Sequence, residues 1–72
     1  MSYYVRYSDD EGRELILSEE TTCAAAIVSA LVYAQEYAGG EFCVIDGGGA
    51  TKFFQCYPDG DNITVLSGFV VG

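Results

Sequence analysis

TTCAAAIVSALVYAQEY, residues Thr21 to Tyr37, carries no charge between Cys23 and Gln35. Ala24, Ala25, Ala26, Ala30 and Ala34 favour a helix, because alanine loses no side-chain entropy on folding. Cys23, Ile27, Ala30, Leu31, Ala34 and Ala38 recur at spacings of three and four, which sets them along one helical face. Val28, Val32 and Tyr33 fall on the outer side. Ser18, Thr21 and Thr22 are candidate N-caps, and Glu19 and Glu20 suit the positive end of the helix dipole. Gly39-Gly40 is expected to end the helix, since glycine takes the left-handed C-terminal conformation at little cost.

Strands flank this helix on both sides. Ser2–Ser8 alternates, with Tyr3, Val5 and Tyr7 on one face and Tyr4 and Arg6 on the other. Asp9-Asp10-Glu11-Gly12 is a turn, and Arg13–Ser18 returns with Leu15 and Leu17 toward the core and Glu14 and Ile16 opposite. After the helix, Glu41–Asp46, Thr51–Tyr57 and Asn62–Ser67 read as strands. Gly47-Gly48-Gly49-Ala50 and Pro58-Asp59-Gly60-Asp61 join them, the second carrying the Asp-Gly hairpin signal. Gly68 permits a bend, after which Phe69-Val70-Val71 continues the strand or adds a short sixth. The plan is ββαβββ: an α+β fold in one domain, residues 1–72, with an antiparallel sheet and one helix packed on one face.

A glycine turn symmetric about Gly49-Ala50 would set Cys43 opposite Cys56 and Ile45 opposite Phe54, with all four lining the core. A slip of one residue inverts that assignment. In this register Phe42, Val44, Phe53, Tyr57 and Tyr4 occupy the open sheet face. One helix cannot cover so much apolar surface, which points to self-association or a partner.

Eleven carboxylates stand against Arg6, Arg13 and Lys52, giving a formal charge of −8 over 72 residues. Direct nucleic-acid binding needs cations to displace phosphate counterions, so that class is excluded, and an anionic membrane surface is excluded with it. The aromatics Tyr4, Phe53 and Tyr57 are therefore packing residues and not a base-stacking platform. The start lacks a secretory pattern, the apolar runs are too short to span a bilayer, and no lipidation box is visible. Three cysteines without a CxxC pair argue against a secreted disulfide framework and for a reducing cytoplasm, with Cys43–Cys56 the pairing that oxidation would favour. No histidine is present, which removes His-based triads and Cys–His pairs. Asp59-Gly60-Asp61-Asn62 lacks the remaining ligands of a calcium loop, and Gly47–Lys52 does not match a phosphate-binding loop. The expectation is a protein that is not an enzyme and uses no cofactor or metal.

The carboxylates come in clusters. Asp9, Asp10, Glu11 and Glu14 surround the first turn, Glu19 and Glu20 sit at the helix start, and Glu36 and Glu41 flank its end. Asp46, Asp59 and Asp61 lie at strand ends and turns. Such residues keep a surface solvated and protect sheet edges. Gathered on one face, they would also compete with nucleic acid for a basic groove, since duplex DNA presents one charge per about 1.7 Å of axis.

A short, single-domain, strongly acidic α+β chain of this kind resembles the small anti-CRISPR inhibitors of phages and other mobile elements. Asp9-Asp10-Glu11, Glu14, Glu19-Glu20 and Asp59/Asp61 on a ββαβββ scaffold carry the resemblance. It implies a non-enzymatic inhibitor in the host-cell cytoplasm. Such a protein binds a CRISPR effector, or another basic nucleic-acid-binding protein, at the surface meant for DNA or guide RNA, as a DNA mimic. The expected partner-binding residues are Asp9, Asp10, Glu11, Glu14, Glu19 and Glu20. The alternative is a homodimeric structural or regulatory module that works through its apolar helix or sheet face.

Overall fold

A threonine hydroxyl fixes where the helix begins. In the computed structural model, which describes residues 2–68, Thr22 is extended and its Oγ1 accepts the Ala25 N–H at 3.1 Å. The helix, α1, runs Cys23–Glu36. Around it lie β1 (Tyr3–Ser8), β2 (Glu14–Glu20), β3 (Glu41–Asp46), β4 (Lys52–Asp59) and β5 (Asn62–Gly68). The strands form one five-stranded sheet in the order β2-β1-β3-β4-β5, each neighbour antiparallel to the next. This is the expected ββαβββ layout. Phe69-Val70-Val71, read as a continued or sixth strand, lies outside the described residues. Among those described, no helix is long and apolar enough to cross a membrane.

The core is made of large residues from the sheet and small ones from the helix. Ala26, Ala30 and Ala34 are buried against Val5, Phe42, Val44, Phe54 and Cys56. Alanine lets the helix backbone approach closely enough for Phe42 and Phe54 to fill the space between the layers. The buried stripe is turned from the expected one: Ala26 belongs to it, whereas Ala38 is past the helix and exposed. Tyr33, expected outside, packs on the core and donates its hydroxyl to the Leu17 carbonyl at 3.4 Å. Val28 and Val32 are on the outer side, as expected, and exposed.

The helix also stops before the glycines. Tyr37 is extended, with its N–H on the Tyr33 carbonyl at 3.2 Å, and its ring sits 4.7 Å from Tyr7 and 5.2 Å from Phe42. Aromatic packing, not a left-handed glycine cap, closes α1. Gly40 serves a different purpose. Its φ is +84°, and a Cβ there would lie 2.7 Å from the Ser8 carbonyl oxygen and from the Tyr7 hydroxyl. Only glycine lets the chain enter β3 so close to β1. Glu19 and Glu20 likewise belong to the end of β2, and the first helical turn holds no acidic residue.

The register of β3 and β4 differs by one residue from the symmetric turn. Phe42 pairs with Cys56, Cys43 with Gln55, and Val44 with Phe54; Phe53 then bulges before Ile45 pairs with Lys52. Phe42 and Val44 therefore face the helix, not the open side. The bulge brings Phe53 to the helix side as well, edge-on to Tyr3 with ring centres 5.3 Å apart. Cys43 and Ile45 face away from the helix, so Cys43 and Cys56 lie on opposite faces of the sheet. All three cysteines are free, and the register rules out the cross-strand pairing.

Cys43 and Ile45 are nevertheless only 3% and 6% exposed. Their cover comes from the side. Arg6 and Gln55 flank Cys43 across the ladder, and Tyr4 and Lys52 flank Ile45. Long side chains cover the short ones, and the Arg6 guanidinium is drawn in with its stem, its Nε buried without a hydrogen bond. Arg6 reaches Glu14 at 3.6 Å, and Gln55 donates to Glu41. The open face is therefore less apolar than the sequence suggested, with Ile16, opposite Arg6, still half-exposed on it.

Candidate functional site

Alternating strand directions gather the acidic turns. β1 runs toward the Asp9–Arg13 turn and β2 runs away from it; α1 ends on that same side, β3 starts there, and β4 returns to it. Eight of the eleven carboxylates consequently lie at one end of the sheet: Asp9, Asp10, Glu11, Glu14, Glu36, Glu41, Asp59 and Asp61. Arg13 is set among them, and Arg6 reaches Glu14. The C-terminus of α1 adds the negative end of its dipole. Glu19, Glu20, Asp46 and Lys52 are at the opposite end.

The first turn is held by its own leading residue. Asp9 Oδ1 accepts the N–H groups of Glu11 and Arg13, both at 2.9 Å, and Oδ2 accepts Arg13 Nε at 2.8 Å. Gly12 takes φ +85° and donates to the Asp9 carbonyl at 3.0 Å. The Arg13 backbone N–H and then its guanidinium hold the Asp9 carboxyl below its ordinary range, against some burial. Asp9 thus builds the turn, Glu11 pairs with the Arg13 guanidinium at 2.5 Å, and Asp10 projects toward Gly39.

Aromatic packing supports the end from below. Tyr7, Tyr37 and Phe42 stack in mutual contact, and the Tyr7 hydroxyl donates to the Gly39 carbonyl at 3.4 Å. Partial burial, followed by the charges of Asp9 and Asp10, pushes the Tyr7 hydroxyl above its ordinary pKa. Asp10 lies against Gly39, where an added Cβ would sit 3.3 Å from its Oδ2. On the other flank, Gly60 takes φ +64° in the two-residue loop between Asp59 and Asn62, and Asp59 accepts the Thr64 hydroxyl at 3.2 Å. Between that hairpin and the end of α1 lies a cleft of about 490 Å³, lined by Ala34, Gln35, Tyr37, Gly60, Asp61, Asn62 and Ile63.

The six expected binding residues are divided by this geometry. Asp9, Asp10, Glu11 and Glu14 share the acidic end. Glu19 and Glu20 lie at the far end of β2, roughly 20 Å away for a seven-residue strand. Glu20 also accepts the Ser29 hydroxyl at 3.2 Å, tying β2 to the helix. Glu36, Glu41, Asp59 and Asp61 join the set instead. The signal for them was present: in a ββαβββ plan the first turn, the helix end and the last hairpin must fall on one side. Among the described residues, no group of three or more His, Cys, Asp or Glu side chains is placed to hold a metal ion. Comparison with protein-family models, curated proteins and solved structures finds no match to this chain.

Proposed function

We propose that this chain is a non-enzymatic inhibitor that docks its acidic end on the basic surface of a nucleic-acid-handling protein, in the place of a phosphate backbone. The gathering of eight carboxylates at one end of the sheet, met by Arg13 in the first turn and by Arg6 at Glu14, supports this reading. Asp10, Glu11, Glu14, Glu36, Asp59 and Asp61 are exposed there. They stand on strand ends, tight turns and the last residue of α1, over packed aromatics, so little ordering is lost on binding. Association through such a surface is fast and weakens with salt. The cleft beside Asp61 suits a lysine or arginine of the partner, with the carboxylate for its charge and the Tyr37 ring for cation–π contact. A CRISPR effector is the partner that the family resemblance suggests.

The test is capture from host lysate at low salt, followed by elution with salt or with duplex DNA. We expect a basic nucleic-acid-binding protein to be retained by the wild type and released by either eluant. A variant with Asp10→Asn, Glu11→Gln, Asp59→Asn and Asp61→Asn should lose that capture, and a Glu19→Gln/Glu20→Gln variant should keep it. Equal capture by the acidic-end variant, with an unchanged circular-dichroism spectrum, would refute the reading.

A further inference from the structure

The two edges of the sheet are protected very differently. β2 forms one edge and carries Glu14, Glu19 and Glu20. β5 forms the other and, alone among the described strands, has no ionisable side chain. Val65 and Leu66 on it are 51% and 49% exposed. An edge strand leaves every second backbone N–H and C=O unpaired, and charges are the usual guard against another strand adding there. β5 lacks that guard.

We propose that two copies of this chain pair antiparallel through their β5 edges and form one continuous sheet. Charge selects both the occupant and the direction. A copy with a formal charge of −8 is repelled from most of this surface, whereas β5 carries no charge of its own and meets only the Asp59 carboxylate, which the Thr64 hydroxyl holds at 3.2 Å. Antiparallel pairing sends the two acidic ends to opposite sides of the joint. The two Asp61 turns then stand roughly 20 Å apart along the joint, beyond the screening length of about 8–10 Å, and the Asp59 carboxylates held on Thr64 leave a residual repulsion. Parallel pairing would set the Asp59 and Asp61 turns side by side.

The hairpin fixes the register. Asp59 and Asn62 flank a two-residue loop and exchange both ladder bonds, and the pattern alternates from there. Pro58, which has no N–H, accordingly sits opposite Ile63 at a non-bonded position. Ile63 and Val65 then present their backbone groups outward. Pairing centred on Thr64 lets Ile63 bond the partner's Val65, and Val65 bond the partner's Ile63, while Thr64 faces the partner's Thr64. An edge joint of this size buries less than the roughly 1,200 Å² of a standard interface, so the dimer is concentration-dependent.

Sedimentation of the whole chain from micromolar to millimolar concentration tests the proposal. The mass should double from 7.7 kDa as concentration rises, and added salt should favour the dimer by screening the residual repulsion. Thr64→Lys sets two like charges opposite each other and should hold the chain monomeric. Thr64→Cys should give, under mild oxidation, a dimer whose disulfide joins the two residues 64, told from any link through the partly exposed Cys23 by peptide mapping. That second variant decides the matter if the lysine variant fails to fold. A wild type monomeric throughout, a dimer that survives Thr64→Lys, or no disulfide between the two residues 64 in Thr64→Cys would each overturn the proposal.

Discussion

Phe42 and Val44 point one way from β3, and Cys43 and Ile45 point the other, yet all four are nearly or wholly inaccessible to water. On the helix side, burial comes from a second layer: three alanines of α1 rest directly on the sheet. On the open side it comes from neighbours within the same layer, where Arg6 and Gln55 flank Cys43 and Tyr4 and Lys52 flank Ile45. The first kind of cover is rigid and close-packed. The second is made of long side chains with many rotamers, so it yields more easily when an atom is removed. A residue's exposure therefore does not say how firmly it is held.

Removing the Phe42 side chain tests the rigid face and has the largest expected effect. Phe42→Ala should cost about 3–5 kcal/mol, most of what a small domain has, and urea unfolding should show a largely lost folded baseline. Ile45→Ala on the open face should cost about 2 kcal/mol, the low end for such a change, because Tyr4 and Lys52 can settle into the gap. Equal losses at the two positions would erase the distinction between the faces. Thiol labelling sharpens it without mutation. Burial raises the Cys56 thiol to about 11, and burial raises Cys43 as well, against the pull of Arg6. Cys23 should react first, Cys43 at moderate urea, and Cys56 only with global unfolding, as read by mass spectrometry of peptides.

The smallest effect lies outside both faces. Asp9 has a folded pKa below its ordinary 3.8, so its contribution is present at neutral pH and lost as pH falls through the folded value. Asp9→Asn should melt below the wild type at pH 7, and the two melting curves should converge under acid. A difference that persists in acid would assign the effect to the turn's geometry and not to its charge.

Much of this was legible in the residues. The alanine run, the Thr22 cap and the alternation of Tyr3, Val5 and Tyr7 give the helix and its neighbours directly. The register of β3 against β4 was not. Phe53 and Phe54 are equally apolar, and a glycine-rich turn imposes no spacing, so nothing local says which phenylalanine faces the helix. Tyr33 misled because a phenol on a helix suits solvent equally well; its partner, the Leu17 carbonyl, comes from a bulge invisible in the sequence. Of the candidate site, the first turn was legible as an acidic cluster. Its union with Glu36, Glu41, Asp59 and Asp61 needed the strand directions to be followed to their ends.

The order β2-β1-β3-β4-β5 also sets how the chain finds its structure. The β1–β2 hairpin and the β3–β4–β5 meander each join strands adjacent in sequence. Only the β1–β3 ladder, from Tyr3↔Asp46 to Ser8↔Glu41, brings distant segments together. Closing that loop costs chain entropy before any contact rewards it. Folding should thus wait on this central seam. Substitutions in β1 and β3 should slow refolding, whereas those in the β4–β5 hairpin should mainly hasten unfolding.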